Sequence, residues 1–341
     1  MIVENSYDIK QQLKKIAELL IKKGDLLENT GLLHGKMGIA VFLFHYARYT
    51  DNESFEDYAV GLIQKTQAGI HVNSSSDYAN GLAGIGVGIE YLSQNGFLDI
   101  DTDEILVNID SRIRRDVMYV KHDNNSIVDG LSGLGQYLLY RVNRRAVGTN
   151  DFCLQLNCEL MLHVVNILEN ERLPQIDEIP DVLSFLCRLY YRNICNPKIE
   201  RYLDRLLKSF LFDEIPEKKI SYWAFSLLSL STIRNQTTEI TRKIIYKSLQ
   251  MFESTKDKKP LEEKIYYLQW LLQCKRLIKK AGICTDLFFE IEASINVILM
   301  RKYQEFLFEN EKLSLLGYAG LGLALMTASG SCDDAWLDLL I

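Results

Sequence analysis

Gly81-Leu82-Ala83-Gly84-Ile85-Gly86 is the stretch that decides the fold, because its spacing, Gly-x-x-Gly-x-Gly, returns along the chain. Three further copies share the pattern, the last of them ending in alanine: Gly130-Leu131-Ser132-Gly133-Leu134-Gly135, Gly317-Tyr318-Ala319-Gly320-Leu321-Gly322 and Gly35-Lys36-Met37-Gly38-Ile39-Ala40. The first glycines are at positions 35, 81, 130 and 317, so the steps are 46, 49 and 187 residues. The last step is about four periods of roughly 47 residues, which indicates about seven repeats.

Degenerate copies are expected between the third and the last of these motifs. Ser226-Leu227-Leu228-Ser229-Leu230-Ser231 keeps a small residue at each glycine place and lies 96 residues after Gly130. Ser184-Phe185-Leu186-Cys187 is a weaker candidate for the fourth copy, and the stretch from Tyr267 to Trp270 has lost the small residues. The sequence therefore predicts one domain over residues 1–341, built from about seven helical-hairpin repeats.

The apolar residues recur at intervals of three and four, which is the spacing of helices. One period has room for two helices of about 15 residues each, which together form a helical hairpin. We expect the first outer helix from about Ser6 to Lys23 and its inner partner from about Leu32 to Tyr49. The glycines follow residues that can cap a helix, such as Asn80 and Asp129, and so mark the starts of inner helices.

Repeated glycine inside helices needs a compensating gain, because each costs up to ~1 kcal/mol relative to alanine. Close approach between neighbouring inner helices supplies one, and it favours an inner ring over an open solenoid. We therefore predict an all-α fold, an α/α toroid with a double ring of about seven inner and seven outer helices. Dinucleotide binding is disfavoured, since the glycine order is not Gly-x-Gly-x-x-Gly and no strand-like run precedes it.

Composition limits the partners. The net charge of −6 and 25% charged residues disfavour a nucleic-acid-binding protein, which needs a clustered excess of Lys and Arg. The sequence contains no run of about 18 uncharged apolar residues and therefore predicts no membrane span. The first ten residues do not resemble a signal peptide. A cytoplasmic location is expected. The seven cysteines include no Cys-x-x-Cys pair and are interpreted as reduced core thiols.

The glycine motifs, together with Gly31-Leu32-Leu33-His34 before the first of them, resemble the inner helices of lanthionine synthetase C proteins. The resemblance implies a toroid of seven inner and seven outer helices. In the catalytic members, zinc held by two Cys and one His activates a cysteine thiol of a dehydrated peptide. The thiol then adds to dehydroalanine or dehydrobutyrine and closes a thioether ring. Zinc is needed because a free thiol, with a pKa of about 8.5, is mostly protonated at neutral pH.

The zinc ligands implied by the resemblance are missing at the matching positions. The family's Trp-Cys-Tyr-Gly motif of the fifth repeat is Trp223-Ala224-Phe225-Ser226 here, and Lys264 to Trp270 of the sixth contains neither Cys nor His. The catalytic members also have an Asp in the third repeat and a His in the fourth as candidates for proton transfer. Here Ser126 occupies the position of the Asp, with Asp129 three residues later, and no His lies near Ser184 in the fourth repeat. We predict no metal site and no cofactor.

Five residues are candidates for the mouth of the toroid cavity: His34, Asp77, Asn80, Asp129 and Trp223. His34 either binds or transfers protons in the cavity, or bonds the backbone at a helix start. Asp77, Asn80 and Asp129 either ring the mouth or cap helices. Trp223 either forms an aromatic floor for a ligand or belongs to the core.

The leading functional hypothesis is a lanthionine synthetase C-like protein without zinc-dependent cyclase activity, which binds a peptide or protein as an accessory in peptide modification. The alternative is a metal-free transferase or carbohydrate-active hydrolase that uses the toroid cavity, with Asp77 and Asp129 as its first candidates. A third possibility is an active cyclase whose ligands lie elsewhere in the degenerate repeats. The absence of histidine beyond His163 speaks against it.

Overall fold

The computed structural model describes residues 2–143, 152–170, 173–210, 212, 215–299 and 312–340, and within these ranges it contains α-helices and short 3-10 turns but no strand. The helices are α1 (Ile2–Gly24), α2 (Lys36–Thr50), α3 (Glu53–Ala68), α4 (Leu82–Gln94), α5 (Thr102–Ile105), α6 (Val107–Tyr119), α7 (Leu131–Asn143), α8 (Phe152–Asn170), α9 (Ile179–Tyr191), α10 (Asn196–Lys208), α11 (Ile220–Ser231), α12 (Thr238–Thr255), α13 (Leu261–Ala281), α14 (Phe288–Leu299) and α15 (Tyr318–Ala328). The bounds of α1 and α2 agree with the two helices predicted for the first repeat to within four residues. None of the helices in these ranges is both long and apolar enough to cross a membrane.

The chain divides into two compact units. The first unit contains the residues up to His71 together with Thr238–Leu340, and therefore α1 to α3 and α12 to α15. The second unit is the continuous segment Val72–Thr237, with α4 to α11.

Two kinds of helix alternate along the chain. Seven helices, which we call inner helices, are largely buried: α2, α4, α7, α9, α11, α13 and α15. The helices between them are amphipathic; α10, for example, buries only Ile199, Tyr202, Leu203 and Leu206, at helical spacing. Within each unit the amphipathic helices pack on inner ones, with α3 on α2 and α14 on α13 in the first unit and α8 on α7 and α10 on α9 in the second.

The first glycine of each motif lies where the preceding loop folds back onto the helix start. The amide of Leu82 donates to the carbonyl of Ser75 at 2.8 Å, and the amide of Leu131 donates to that of Asn124 at 3.2 Å. A Cβ placed on Gly81 would lie less than 3.0 Å from backbone atoms of its loop. Space for the loop, rather than contact with a neighbouring helix, therefore requires glycine at this position.

The third glycine does receive a neighbouring inner helix, as predicted. An aromatic ring of the next inner helix occupies the space where a Cβ would be, at less than 3.0 Å, in three pairs: Tyr137 on Gly86, Phe185 on Gly135 and Phe42 on Gly322. A protein interior is close-packed, so each ring fills the notch that its glycine leaves. Glycine and ring together set how closely α4 and α7, α7 and α9, and α15 and α2 approach.

The same ring contact gives the register of the fourth copy. Tyr137 lies seven residues after Gly130, the first glycine of its own motif. Phe185 makes the equivalent contact. The fourth copy therefore begins at Glu178. The sequence pattern predicted its start at Ser184, six residues later. Glu178 is the residue that immediately precedes α9.

A buried ion network holds the far end of α7. The Arg141 guanidinium contacts Glu90, which is wholly buried, and Nη2 lies 2.9 Å from Oδ2 of Asp110. Tyr137 donates to Oδ1 of Asp110 at 2.7 Å, and Asp103 completes the set at 2.7 Å from Arg141 Nη2. One guanidinium thus pairs with three carboxylates, which offsets part of the desolvation penalty of burying Glu90 and Asp110.

Candidate functional site

Two loops that begin inner helices of the second unit lie against each other. We call residues 75–80 the α4 loop and residues 124–129 the α7 loop. The amides of Tyr78 and Ala79 both donate to the carbonyl of Val128, at 3.2 and 2.9 Å. Three of the predicted site residues, Asp77, Asn80 and Asp129, are thereby brought into adjoining loops.

Asp77 and Asp129 each fix their own loop. Oδ1 of Asp77 accepts from the amides of Asn80 at 2.6 Å and Gly81 at 3.2 Å. Oδ1 of Asp129 accepts from the Ser126 hydroxyl at 2.5 Å, and the Asp129 amide donates back to that hydroxyl at 3.1 Å. Asp77 therefore satisfies backbone donors just before α4, the capping role that the sequence left open, whereas the described partners of the Asp129 carboxylate are side chains of its own loop.

His34 and Trp223 occupy different surroundings. His34 is exposed in the turn before α2, in the first unit, whereas the other four candidates lie in the second. Trp223 is 0% exposed, and its ring centroid lies 4.8 Å from that of Phe210. Its packing is that of a core residue, although its indole Nε1 has no hydrogen-bond partner among the described residues. That the five residues share one cavity mouth stays a prediction.

A pair of carboxyl groups that was not predicted from the sequence lies at the start of α9. Oε1 of Glu178 accepts from the amide of Asn125 at 3.0 Å, and Oδ2 of Asp181 accepts from the amide of Ile127 at 3.0 Å. Two alternate amides of the α7 loop are thus bound by two acids of the next inner helix. The repeat period contains a signal for this site, since Asp181 lies 48 residues after Gly133, the second glycine of the third motif.

Asp181 is a buried acid that titrates near neutral pH. Burial raises its pKa to about 7, and the negative charges of Asp129 and Glu178 act in the same direction. The Ile127 amide and the Lys219 ammonium lower it, but they do not outweigh burial. Only 3% of Asp181 is exposed, and Oδ1 has no hydrogen-bond partner within the described part of the chain. The group can hold or release a proton at neutral pH.

Comparisons with known proteins bear on the family and the fold. Residues 27–178, which include the α4 and α7 loops, match the family model for lanthionine synthetase C-like proteins. The resemblance to that family is confirmed. The solved structure of a nisin cyclase is similar over 97% of this chain and 97% of its own, with a TM-score of 0.65 and 14% identity. That likeness shows the fold, an all-α lanthionine synthetase C-like α/α toroid. Among curated proteins, none matches the sequence.

The resemblance implies a zinc site whose first ligand would lie in α11. Ala224, which the resemblance aligns with that ligand, is 0% exposed in α11 and carries no donor atom. In α13, Cys274 is wholly buried, and burial raises the pKa of its thiol well above the ordinary value, which opposes the thiolate that zinc requires. Across the described ranges, no three His, Cys, Asp or Glu side chains group to hold a metal ion.

Proposed function

We propose that this lanthionine synthetase C-like protein does not catalyse zinc-dependent thioether cyclisation and instead binds a peptide or protein partner in peptide modification. The observation that carries the proposal is Ala224, a buried residue without a donor atom at the first-ligand place of a lanthionine synthetase C-like fold. The similar solved protein is named for cyclising nisin, which supports a peptide as the ligand. We also propose a cytoplasmic location and a single domain over residues 1–341, as expected from the sequence.

The binding surface in this proposal is formed by the α4 and α7 loops. Asn80, Val128 and Asp129 are exposed there, and Val128, next to Asp129 in the chain, is 41% exposed. An exposed apolar residue flanked by hydrogen-bonding groups suits an extended peptide, which presents both apolar side chains and backbone polar groups.

The first test is elemental analysis of zinc in protein purified without chelator and without a metal-binding tag. We expect less than about 0.1 zinc per chain, because the described residues lack a three-donor set. A parallel assay follows the loss of free thiol from a synthetic peptide that contains cysteine and dehydroalanine. Stoichiometric zinc, or thiol addition above the uncatalysed rate, would overturn the proposal.

The second test measures binding of the same labelled peptide by fluorescence anisotropy. A charged aspartate at the apolar centre of the surface should weaken binding at least about tenfold in Val128→Asp. Val297→Asp is the matched control, because Val297 is 39% exposed on α14 in the first unit. Equal affinity of the two variants would remove the α4 and α7 loops from the proposal.

A metal-free transferase or hydrolase is the second candidate, and Asp181 is the observation that favours it. A carboxyl group with a pKa of about 7 suits general acid–base catalysis at neutral pH. Asp77 and Asp129, the acids first considered for this role, hold the α4 and α7 loops instead. If substrate screening finds an activity, Asp181→Asn should reduce it at least about 100-fold and Asp77→Asn should not. Retention of activity in Asp181→Asn would exclude this candidate.

A further inference from the structure

The α7 loop is held between its two neighbours in the repeat. On one side the carbonyl of Val128 accepts from the amides of Tyr78 and Ala79. On the other side the amides of Asn125 and Ile127 donate to Glu178 and Asp181 of the α9 start. The two hydrogen bonds described on the side facing α4 join backbone atoms, whereas the side facing α9 depends on two titratable groups.

The two acids differ in how well their oxygens are satisfied. Both oxygens of Glu178 accept backbone amides, Oε1 from Asn125 at 3.0 Å and Oε2 from Gln175 at 2.8 Å. Asp181 has a donor only at Oδ2, and the nearby loop residue Asn125 also has an unpartnered side-chain nitrogen within the described chain. A charge on Asp181 would thus be buried with one oxygen unsatisfied, which is costly, whereas the neutral acid avoids the cost.

We propose that Asp181 is a proton-operated clasp on the α7 loop. With its carboxyl group protonated, Asp181 holds the Ile127 amide and the loop stays on α9. Loss of the proton leaves a buried, half-satisfied anion, which gains hydration when the loop moves away. Opening of the loop is therefore coupled to release of a proton to solvent, and no other reactant is involved.

The charged groups around Asp181 act in known directions. Glu178 on its own helix and Asp129 on the α7 loop oppose a second negative charge, and Lys219, in the 3-10 turn before α11, favours one. The ammonium of Lys219 also pairs with Asp177 at 3.1 Å, which reduces its effect on Asp181. The balance is the pKa of about 7. Opening of the loop should accordingly become easier as the pH rises from about 4, the ordinary pKa of an aspartate, to about 7, above which Asp181 is ionised in both states.

The clasp does not depend on the proposed accessory role, because it can be measured without any partner. The experiment is native-state amide hydrogen exchange of the whole protein between pH 5 and pH 9, with each rate divided by the intrinsic rate at that pH. The protection of Asn125 and Ile127 should fall by up to about tenfold per pH unit as the pH rises from the lower end of this range to pH ~7, and it should level off above pH ~7. Amides of α2, in the first unit, should show no such change.

Three variants make the result specific. In Asp181→Asn the group cannot ionise, so the protection of Asn125 and Ile127 should become independent of pH. Glu178→Gln keeps an oxygen for the Asn125 amide but removes a neighbouring negative charge, so the midpoint of the change should move to lower pH. Asp77→Asn, a change in the α4 loop, should leave the midpoint where it is.

Either of two results would overturn the clasp: pH-independent protection in the unchanged protein, or an unaltered pH dependence in Asp181→Asn. Should Asp181→Asn fail to fold, a carbon-13 titration of the Asp181 carboxyl in the unchanged protein decides instead. An ionisation below pH ~5 in that titration contradicts the proposal, and one near pH 7 that tracks the exchange of Ile127 supports it.

Discussion

The inner helices α7 and α9 are neighbours in the repeat, but they begin in different ways. At the start of α7, Gly130 and Gly133 leave space for the preceding loop, whose atoms would lie less than 3.0 Å from a Cβ at either position. At the start of α9 the same two places are Glu178 and Asp181, whose carboxyl groups reach out to bind backbone amides. Both solutions satisfy the backbone of a helix start. Only the second introduces groups whose charge depends on pH.

Loss of the glycines at the start of α9 does not mean loss of the repeat. Phe185 in α9 fills the notch of Gly135 as Tyr137 in α7 fills that of Gly86. Contact between successive inner helices is therefore kept where the glycines of the helix start have been replaced. The residues that replace the glycines carry side chains, here carboxyl groups, which glycine lacks.

The largest effect is expected from removing the charge that anchors the far end of α7. Arg141→Met should lower the free energy of unfolding by about 3–5 kcal/mol, because Glu90 and Asp110 would remain buried without their cation. Urea denaturation measures the change. Arg115→Met is the control, since the Arg115 side chain is 55% exposed beside Asp116, and it should change the value by no more than about 0.5 kcal/mol. A small effect of Arg141→Met would show that α7 does not depend on this network.

Next in size is filling the notch between α7 and α9. Gly135→Ala places a Cβ against the Phe185 ring and should cost about 1–3 kcal/mol by overpacking. Gly61→Ala, in the middle of α3, meets nothing within 4 Å and should stabilise the protein by about 0.5–1 kcal/mol. Opposite signs in thermal or urea unfolding support the notch. If both substitutions stabilise, the glycine of the third place serves no packing purpose.

A smaller effect distinguishes the start of α9 by its response to pH. A group whose folded-state pKa is raised contributes stability below its unfolded pKa and loses it as the pH rises through the folded value. For Asp181, with a pKa of about 7 when folded, the free energy of unfolding should fall between pH ~4 and pH ~7, at no more than about 1.4 kcal/mol per pH unit, and level off above pH ~7. In Asp181→Asn this part of the slope should disappear. A slope equal to that of the unchanged protein would assign the pH dependence to other groups.

The smallest effect concerns the contact of α9 with α11. The hydroxyls of Ser184 and Ser226 lie 2.9 Å apart in the buried interface. Either serine changed alone to alanine should cost about 0.5–1.5 kcal/mol, while changing both should cost less than the sum of the two. A double-mutant cycle in urea measures this coupling. Strict additivity would mean that the hydroxyl pair does not join the two helices.

Much of the fold could be predicted because glycine recurs at the starts of inner helices, at Gly35, Gly81, Gly130 and Gly317. Each residue immediately precedes an inner helix in a region where the loop excludes a side chain. The register of the fourth repeat could not be predicted in this way, since Glu178 and Asp181 have replaced the glycines there. The contact of the Phe185 ring, a tertiary feature, reveals the equivalence.

The candidate site was less accessible to sequence reasoning. Asp77 and Asp129 could be recognised as helix-start residues, and the structure places them in adjoining loops. Asp181 follows Pro180 in the first turn of a helix, where an acid is ordinary and usually exposed. Its burial depends on the α7 loop, which lies more than fifty residues earlier in the chain. Local sequence carries no information about that distance.

The hydroxyl of Ser314 donates to the carbonyls of Leu32 and Gly35, and the Phe42 ring fills the notch of Gly322. The first of these bonds joins residues 282 positions apart. During synthesis at ~5–20 residues per second, α2 must therefore wait on the order of tens of seconds for the residues that complete its packing. The second unit, a continuous segment, faces no such delay. Newly made chains should bury the core of Val72–Thr237 first, and the earliest helices to leave the ribosome should be among the last to become protected.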